Sequence, residues 1–354
     1  MPLPPPRIPA AIEEIADQAR RLTVSEGHRL WWTEQGDAGG TALLVLHGGP
    51  GGRTRAPTLD WWRNLPLRVL AFDQRGCGRS EPRGSLQCNT LAALVQDIEA
   101  LRVAAGVERW AIAGGSWGAR LALAYAASHP QRVSGLFLRS PFLGALAETS
   151  RYIEPWFDWL DAIGQAWLGA AATQALSKLY RGELGAFGAD TGLTRSDAQP
   201  PTLPAVLDDA RLAAAWAAFD EAQNLAGGAR LDGRRFTAMA AAGAETLASW
   251  RIHATHALAG WGCADPALGA WPEALALRAA WSGPVSIVAG ADDACCDPHN
   301  AVRLAALWPQ AVLALVPGAG HRLDDPALAP VLAAAARDFG PAIIAALRSP
   351  PPHP

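Results

Sequence analysis

Ser116 stands in the stretch Gly114-Gly115-Ser116-Trp117-Gly118, which follows a strand-like run and leads directly into a helix-like run. A sharp turn between a strand and a helix leaves no room for side chains beside the central residue, and it lifts the serine hydroxyl clear of the sheet edge. That position indicates a nucleophile. A serine hydroxyl attacks only when a base takes its proton and a carboxylate orients the base.

The base and the carboxylate both have candidates after later strand-like runs. His321 lies in the glycine-containing stretch "VPGAGHRLDDP", just past the last such run. The run before it is followed by Asp292, Asp293 and Asp297. Spacing does not choose between Asp292 and Asp293, whereas Asp297 suits the N-terminal cap of a helix. The order serine, aspartate, histidine is the one expected for a serine in this kind of turn.

An oxyanion hole is predicted from the glycine-rich stretch "HGGPGG", residues 47–52, which follows another strand-like run. A tetrahedral intermediate needs backbone N–H donors aimed at its oxyanion, and glycine lets the backbone approach closely. Trp117, directly after the serine, is expected to supply one donor. Gly49 is expected to supply the other, with Gly48 as the near alternative.

These residues must be positioned by an α/β sheet. Short, continuous apolar runs alternate with amphipathic helical patterns, which predicts strands covered on both faces and a mostly parallel sheet with helices on both sides. Thr90 is expected to cap one of the helices. The predicted strands are 42–49, 67–74, 109–116, 135–141, 284–290 and 311–320.

The alternation of strands and helices stops in the middle of the chain, where Trp, Ala and Leu dominate. We therefore predict a first core segment at 1–145, an inserted helical cap at 146–280 and a second core segment at 281–348. The stretch 190–204 is expected to form a loop inside the cap. Residues 349–354 are expected to form a disordered tail.

Composition excludes several classes of partner. The net charge of -3, without runs of one sign, favours neither nucleic acid nor an anionic membrane, and no apolar run is expected to span a bilayer. Five cysteines without C-x-x-C spacing indicate no disulfide framework and no metal site. Cys295 and Cys296 are expected to be inert thiols. We expect a cytoplasmic enzyme that needs no cofactor and acts on a small peptide or another small molecule.

Four segments together resemble the proline iminopeptidases, which are prolyl aminopeptidases of the α/β-hydrolase fold. They are "HGGPGG", "DQRGCGRS", "GGSWG" and the pair "GADD" and "GAGH". The resemblance implies Ser116 as nucleophile and His321 as general base and acid. It implies Asp293 rather than Asp292 as the orienting carboxylate, because Asp293 holds the last position of the family's G-R-Y-D pattern. It also supports Gly49 and Trp117 as oxyanion donors.

In this family the cap carries acidic residues that bind the free amino end of the substrate. A W-x-x-W-E pattern corresponds here to residues 216–220, so that Asp220, with Glu221 beside it, is expected to bind substrate. An R-I-E pattern corresponds to Arg251-Ile252-His253, where a neutral or cationic imidazole replaces the acid. His253 and Gly48 are included among the expected substrate-binding residues.

Simpler alternatives remain open at this point. The 216–221 segment is equally well read as an amphipathic helix that buries Trp216 and Phe219 and leaves both acids solvated. His253 and the apolar cap also suit an esterase or amidase for small apolar acyl groups. A non-catalytic ligand-binding protein on the same scaffold is a third reading. Dehalogenases and epoxide hydrolases of this fold use an aspartate nucleophile, and Ser116 argues against both.

Overall fold

The computed structural model of the chain describes residues 19–163, 170–181, 205–208, 210–224, 244–263 and 267–348. Two predicted segments, the loop at 190–204 and the tail at 349–354, lie outside these residues.

A twisted sheet of eight strands forms the centre of the protein, in the order β1-β2-β4-β3-β5-β6-β7-β8. Strands β3 to β8 are parallel to one another, as the sequence predicted. The strands are β1 (Arg20–Thr23), β2 (Arg29–Gly36), β3 (Thr41–Leu46), β4 (Leu67–Phe72), β5 (Trp110–Ser116), β6 (Val133–Pro141), β7 (Val285–Gly290) and β8 (Ala311–Val316).

The first two strands were not predicted. They form an antiparallel hairpin, with Arg20 opposite Trp32, and β2 then pairs antiparallel with β4. Strand β2 carries the buried run Leu30-Trp31-Trp32-Thr33. Aromatic and β-branched residues favour strands, so this run was the feature of the sequence from which β2 could have been predicted.

The described helices lie between successive strands of the chain, apart from the last helix, which follows β8. Two predicted N-caps are confirmed: the Thr90 hydroxyl accepts a bond from the Ala93 N–H at 3.2 Å, and the Asp297 carboxylate accepts one from the His299 N–H at 3.0 Å. The helices are α1 (Ala56–Asp60), α2 (Leu91–Ala104), α3 (Trp117–Ser128), α4 (Leu146–Ile163), α5 (Ala170–Tyr180), α6 (Ala210–Gln223), α7 (Ala244–Leu258), α8 (Trp271–Ala280), α9 (Pro298–Leu307) and α10 (Leu328–Arg348).

Hydrophobic side chains cover both faces of the sheet. Trp110, Ile112 and Trp117 belong to one buried cluster, and Phe137 and Phe339 belong to the cluster on the other face. All nine residues of β6 are buried, which is why its sequence is continuous rather than alternating. The predicted doubly covered sheet is confirmed.

The last helix corrects one expectation. Helix α10 contains a stretch, Leu328–Leu347, whose length and mean hydropathy of 1.4 are sufficient to cross a bilayer, although the sequence was expected to hold no such run. One face of this helix packs on the sheet, since Leu332, Phe339 and Ile343 are buried there. Core helices of globular proteins share this composition, so the stretch by itself is weak evidence for a membrane span.

Between β6 and β7 the described residues contain helices and no strand. Aromatic side chains join these helices. Trp156 of α4 meets Phe219 of α6 with ring centroids 5.1 Å apart, and Trp216 of α6 meets Trp250 of α7 at 5.3 Å. This helical layer lies over the carboxyl end of β5, at Ser116, and the carboxyl end of β3, which His47 follows.

Candidate active site

Ser116 lies at the junction of β5 and α3 with φ 56° and ψ -124°, a backbone conformation that L-residues rarely adopt. The neighbouring glycines make this turn possible. A Cβ at Gly114 would overlap the carbonyl oxygen of Gly118, and a Cβ at Gly118 would lie 2.5 Å from the carbonyl oxygen of Leu46. The turn therefore tolerates no side chain at either position.

The Ser116 hydroxyl lies near the first backbone N–H groups of α3 and a cysteine thiol. Ser116 precedes the first turn of α3, where backbone N–H groups such as that of Trp117 have no acceptor within the helix. The Ser116 Oγ lies 3.7 Å from the Cys296 Sγ. Within the part of the chain that the structure describes, no hydrogen bond joins Ser116 to His321. Both residues line the same cavity.

His321 and Asp293 form a close, buried pair. The His321 Nδ1 lies 2.7 Å from the Asp293 Oδ2, and the other carboxylate oxygen, Oδ1, accepts the N–H groups of Cys295 and Cys296 at 2.9 Å each. Asp292 is exposed on the surface. The structure thus places the second of the two candidate aspartates on the histidine.

The charge on Asp293 is stabilised inside the protein. Burial alone would raise the pKa of this carboxyl, but His321 and the hydrogen bonds to the carboxylate outweigh burial and hold the pKa below its usual value. Two hydrogen bonds fix the backbone of His321. Its carbonyl accepts a bond from the Arg139 Nη1 at 2.6 Å, and its N–H donates to the Asn224 carbonyl at 3.0 Å. The imidazole is therefore held from several sides.

The glycine-rich loop passes directly beside the serine. A Cβ at Gly48 would lie 3.1 Å from the Gly115 carbonyl oxygen and 3.4 Å from the Ser116 Cβ, so the backbone of this loop is in close contact with the serine turn. His47 fixes this loop: its Nδ1 donates to the Gly48 carbonyl at 2.9 Å, and its Nε2 accepts the Gln74 N–H at 3.0 Å. The expected donor Gly49 also lines the cavity.

Hydrogen bonds join the segment "DQRGCGRS", residues 73–80, to this loop and to the residues that follow it. The buried Asp73 carboxylate accepts the Thr54 N–H and the Arg79 N–H, both at 2.8 Å, and pairs with the Arg79 Nε at 2.7 Å. Gln74 receives the Trp117 Nε1–H at 3.0 Å. The segment thus ties the glycine-rich loop to the residue after Ser116.

Asp220 enters the same cavity from the cap. Its Oδ1 accepts the Tyr152 hydroxyl at 2.8 Å, and its Oδ2 accepts the Asn224 Nδ2 at 3.2 Å. Burial raises the pKa of this carboxyl above its usual value, although Tyr152 and the nearby His321 oppose that rise. Glu221, the other acid predicted here, is exposed and forms an ion pair with Arg322.

The amphipathic-helix interpretation of residues 216–221 is confirmed in part, since Trp216 and Phe219 are buried and Glu221 is exposed. Both acids line the cavity that holds Ser116, and Asp220 is partly buried there. Substrate binding by Asp220 and Glu221 stays a prediction.

His253 lies in the aromatic wall of the cavity. The Trp216 Nε1–H donates to the Tyr180 hydroxyl oxygen at 3.0 Å, and that hydroxyl lies 2.6 Å from the His253 Nε2. Because the hydroxyl oxygen already accepts from Trp216, its own proton is best placed on the His253 Nε2. Burial lowers the pKa of His253 to about 3, so the imidazole is neutral rather than cationic.

These groups surround one cavity of about 580 Å³. It brings together most of the residues predicted from the sequence, whereas Trp117 and Asp293 lie behind its wall. Sequence reasoning missed Tyr152 and Tyr180, although the chain has only three tyrosines in all, and their rarity was the available signal. The predicted residues that line the cavity are Gly48, Gly49, Ser116, Asp220, Glu221, His253 and His321.

One cluster in this region has the residue types of a metal site. Among the described residues, the possible ligand atoms of Asp293, Cys295 and His321 lie within 4.8 Å of one another. Two of them already share the short hydrogen bond of the acid–base pair. Burial raises the pKa of the Cys295 thiol well above its usual value, which keeps the sulfur protonated and a poor metal ligand.

Comparisons with known proteins agree with this geometry. Residues 41–323 match the family model of the alpha/beta hydrolase fold. A proline iminopeptidase of Neisseria meningitidis serogroup A is 31% identical over 91% of this chain and 96% of its own length. One of Neisseria gonorrhoeae is 42% identical over a shorter segment, 40% of this chain and 44% of that protein.

Solved structures show the same fold. A haloalkane dehalogenase loop variant from Bradyrhizobium elkanii has a TM-score of 0.60 at 19% identity, with 94% of this chain and 99% of that chain covered. A proline iminopeptidase-related protein from Thermus thermophilus has a TM-score of 0.51 at 23% identity, with 93% and 97% covered.

The sheet order, the turn at Ser116 and the family model together define a hydrolase of the α/β-hydrolase fold. Within that class, the relatives that match along nearly the whole chain show that it belongs to the proline iminopeptidase family.

Proposed function

We propose that this protein is a serine aminopeptidase that releases an N-terminal residue, preferably proline, from peptides. The observation that carries the proposal is the composition of one cavity. It holds Ser116 and the Asp293-bound His321 on the sheet side, and a partly buried carboxylate, Asp220, on the cap side. A nucleophile and an anchor for a substrate ammonium group therefore face the same space.

Acylation begins at Ser116. The Asp293 carboxylate holds the Nδ1–H of His321, which leaves the Nε2 lone pair free to take the serine proton. When substrate binds, the serine hydroxyl and the imidazole form the hydrogen bond along which this proton moves. The serine oxygen then attacks the carbonyl carbon of the first residue, and His321 passes the proton to the leaving amine.

The oxyanion is held by backbone donors. We assign one to the Trp117 N–H, at the start of α3, and the other to the N–H of Gly49 or its neighbour Gly48. Water activated by His321 then cleaves the acyl-enzyme and releases the free N-terminal residue.

Selectivity for a free amino end is assigned to Asp220. Tyr152 and Asn224 hold its carboxylate in place without neutralising its charge. A substrate ammonium would supply the missing positive charge in a setting largely shielded from water, where such pairs are strong.

The test compares three substrates with the purified protein and with Ser116→Ala. Proline anilide, alanine anilide and a short-chain phenyl ester share the acyl-transfer chemistry and differ in the amine and the leaving group. We expect proline anilide to be the best anilide and the Ser116→Ala variant to lose at least about 10⁴-fold in turnover. Circular dichroism of the variant checks that it is folded. Serine-dependent ester turnover without anilide turnover would overturn the proposal.

That last outcome describes the second candidate, an esterase or amidase for small apolar acyl groups. One observation favours it: the residue in the place of the second family acid, His253, is neutral and lies among Trp216, Trp250 and Trp261. An apolar acyl group would find no charge on that wall. In that case ester turnover would be indifferent to the loss of Asp220.

A further inference from the structure

Two arginines at the mouth of the cavity have no part in the chemistry described above. Arg53 and Arg55 follow the glycine-rich loop, and both line the cavity that holds Ser116. Both side chains are exposed. Among the residues that the structure describes, neither guanidinium forms a hydrogen bond or an ion pair. Exposed arginines that converge on an active-site cavity without a partner are candidates for binding an anion.

The other two arginines that line the cavity already have acidic groups beside them. Arg322 forms ion pairs with both Glu221 and Asp324. Arg139 is buried near the Asp293 carboxylate, and its charge offsets that of the acid–base pair. Neither of these two arginines is therefore free to bind an added anion.

Asp220 is the cavity acid without an ion pair among the described residues, and Arg53 and Arg55 are the cavity arginines without one. Asp220 has only the neutral donors Tyr152 and Asn224 around its carboxylate. Arg53 and Arg55 are at the mouth. The charge of Arg55 acts on Asp220 of the cap, His47 of the glycine-rich loop and Asp324 beyond the histidine, so its guanidinium lies near all three.

We propose that Arg53 and Arg55 bind the C-terminal carboxylate of the substrate, so that the preferred substrates are dipeptides and other very short peptides with a free carboxyl end. This inference rests on the proposed aminopeptidase function. With the ammonium at Asp220 and the scissile carbonyl at Ser116, the leaving residue points to the mouth. In a dipeptide the carboxylate follows the leaving nitrogen by a single Cα, which places it near the glycine-rich loop.

Arginine suits this role because its planar guanidinium binds a carboxylate through two parallel hydrogen bonds. An exposed pair of this kind contributes modestly, and salt screens it. The site would therefore select among substrates mainly through KM. The acyl-transfer step, which takes place deeper in the cavity, would keep its kcat.

The experiment compares prolylglycine with prolylglycinamide, which differ only in the terminal carboxylate. Free proline is measured by chromatography. For the wild-type protein we expect kcat/KM to be about three- to tenfold higher for the acid, through a lower KM, and the ratio to fall when NaCl is raised. Arg55→Gln and Arg53→Gln should each lower this ratio, and the double variant should bring it close to one. Arg55→Glu should invert the preference.

The matched control is Arg337→Gln, an exposed arginine of α10 that does not line the cavity. It should leave the acid-to-amide ratio at the wild-type value. Equal kcat/KM for acid and amide in the wild type would overturn the inference, and so would an Arg55→Gln variant that slows both peptides equally.

Failure of the proposed function gives a different result. In that case neither peptide nor proline anilide releases proline in a Ser116-dependent reaction, and the inference falls together with the function. Turnover of the anilide and both peptides without a preference for the acid removes the inference alone.

Discussion

The two walls of the cavity handle polar groups in different ways. On the sheet side, Asp293 has His321, two backbone N–H groups and the charge of Arg139 around it, and its pKa is held low. On the cap side, the carboxylate of Asp220 receives only neutral donors, and its pKa is raised by burial. One acid has a close pair with His321 and backbone donors supplied by the protein, and the other has neutral donors and no ion pair among the described residues.

This difference indicates a division of labour. Groups that carry out the reaction must keep one protonation state and one geometry, so the protein supplies all their partners. A group that selects substrate gains most when the substrate supplies the missing partner. The predictions below test this division, starting with the largest expected effect.

Asp293→Asn should lower kcat by about 10⁴-fold for anilides and esters alike. The Oδ1 position accepts two N–H groups and must remain an oxygen, so the amide nitrogen would face the His321 Nδ1. The histidine would then carry its proton on Nε2 and could not accept the serine proton. Steady-state kinetics measures the loss. Asp292→Asn, next to it on the surface, is the matched control and should retain wild-type kinetics.

Asp220→Asn should lower kcat/KM for proline anilide by about 10- to 100-fold, because the amide keeps the Tyr152 hydrogen bond but removes the charge. The phenyl ester, which carries no ammonium, should lose less than about threefold. Glu221→Gln, one residue along the helix, should change kcat/KM for either substrate by less than about threefold, since the ion pair of Glu221 with Arg322 is exposed. Equal losses for anilide and ester would contradict the assigned role of Asp220.

The pH dependence should separate the two acids. The pKa of Asp220 is raised, so this carboxylate takes up a proton at a higher pH than an ordinary aspartate and loses its ammonium site there. The pKa of Asp293 is lowered, so it stays ionised throughout that range. His321 acts on both substrates alike, so its effect cancels in the ratio of kcat/KM for proline anilide to kcat/KM for the phenyl ester, and this ratio should fall as the pH decreases and Asp220 takes up its proton.

Tyr152→Phe sharpens this test. The variant removes a donor that favours the ionised form of Asp220, so the pKa of Asp220 should rise further and the anilide-to-ester ratio of kcat/KM should begin to fall at a higher pH. A ratio that stays constant as the pH falls, in the wild type and in the variant, would show that Asp220 does not bind the amine.

Tyr180→Phe should act on stability more than on chemistry. It leaves the Trp216 Nε1–H and the His253 Nε2 without their buried partner. We expect the free energy of unfolding, measured by urea denaturation, to fall by about 1–3 kcal/mol. Ester turnover at saturating substrate should stay within about twofold of the wild type, a change of under about 0.5 kcal/mol in the barrier. A large loss of kcat would place this hydroxyl in the reaction instead.

Much of the core could be predicted from the sequence because its signals are local. Continuous apolar runs define buried strands, Thr90 and Asp297 define helix starts, and glycines around Ser116 define a turn that excludes side chains. The relative order of Ser116 and His321 along the chain agrees with one type of fold. These features depend on neighbouring residues, so the linear pattern contains them.

The cavity wall could not be predicted in the same way, because it is assembled from residues far apart in the chain. Spacing alone does not separate Asp292 from Asp293, and only the family resemblance favoured Asp293 and aligned Asp220 with a substrate-binding acid. The direction of each side chain in the fold then places Asp293 on His321 and Asp220 on Tyr152. The charge state of His253 likewise depends on tryptophans and a tyrosine that surround it from other helices. The sequence by itself determined the sheet, the sharp turn and the candidate residues, since these follow from local sterics and periodicity. The tertiary structure alone decided which acids meet in one space and how burial sets their protonation, because desolvation and Coulomb interactions depend on distance in space rather than along the chain.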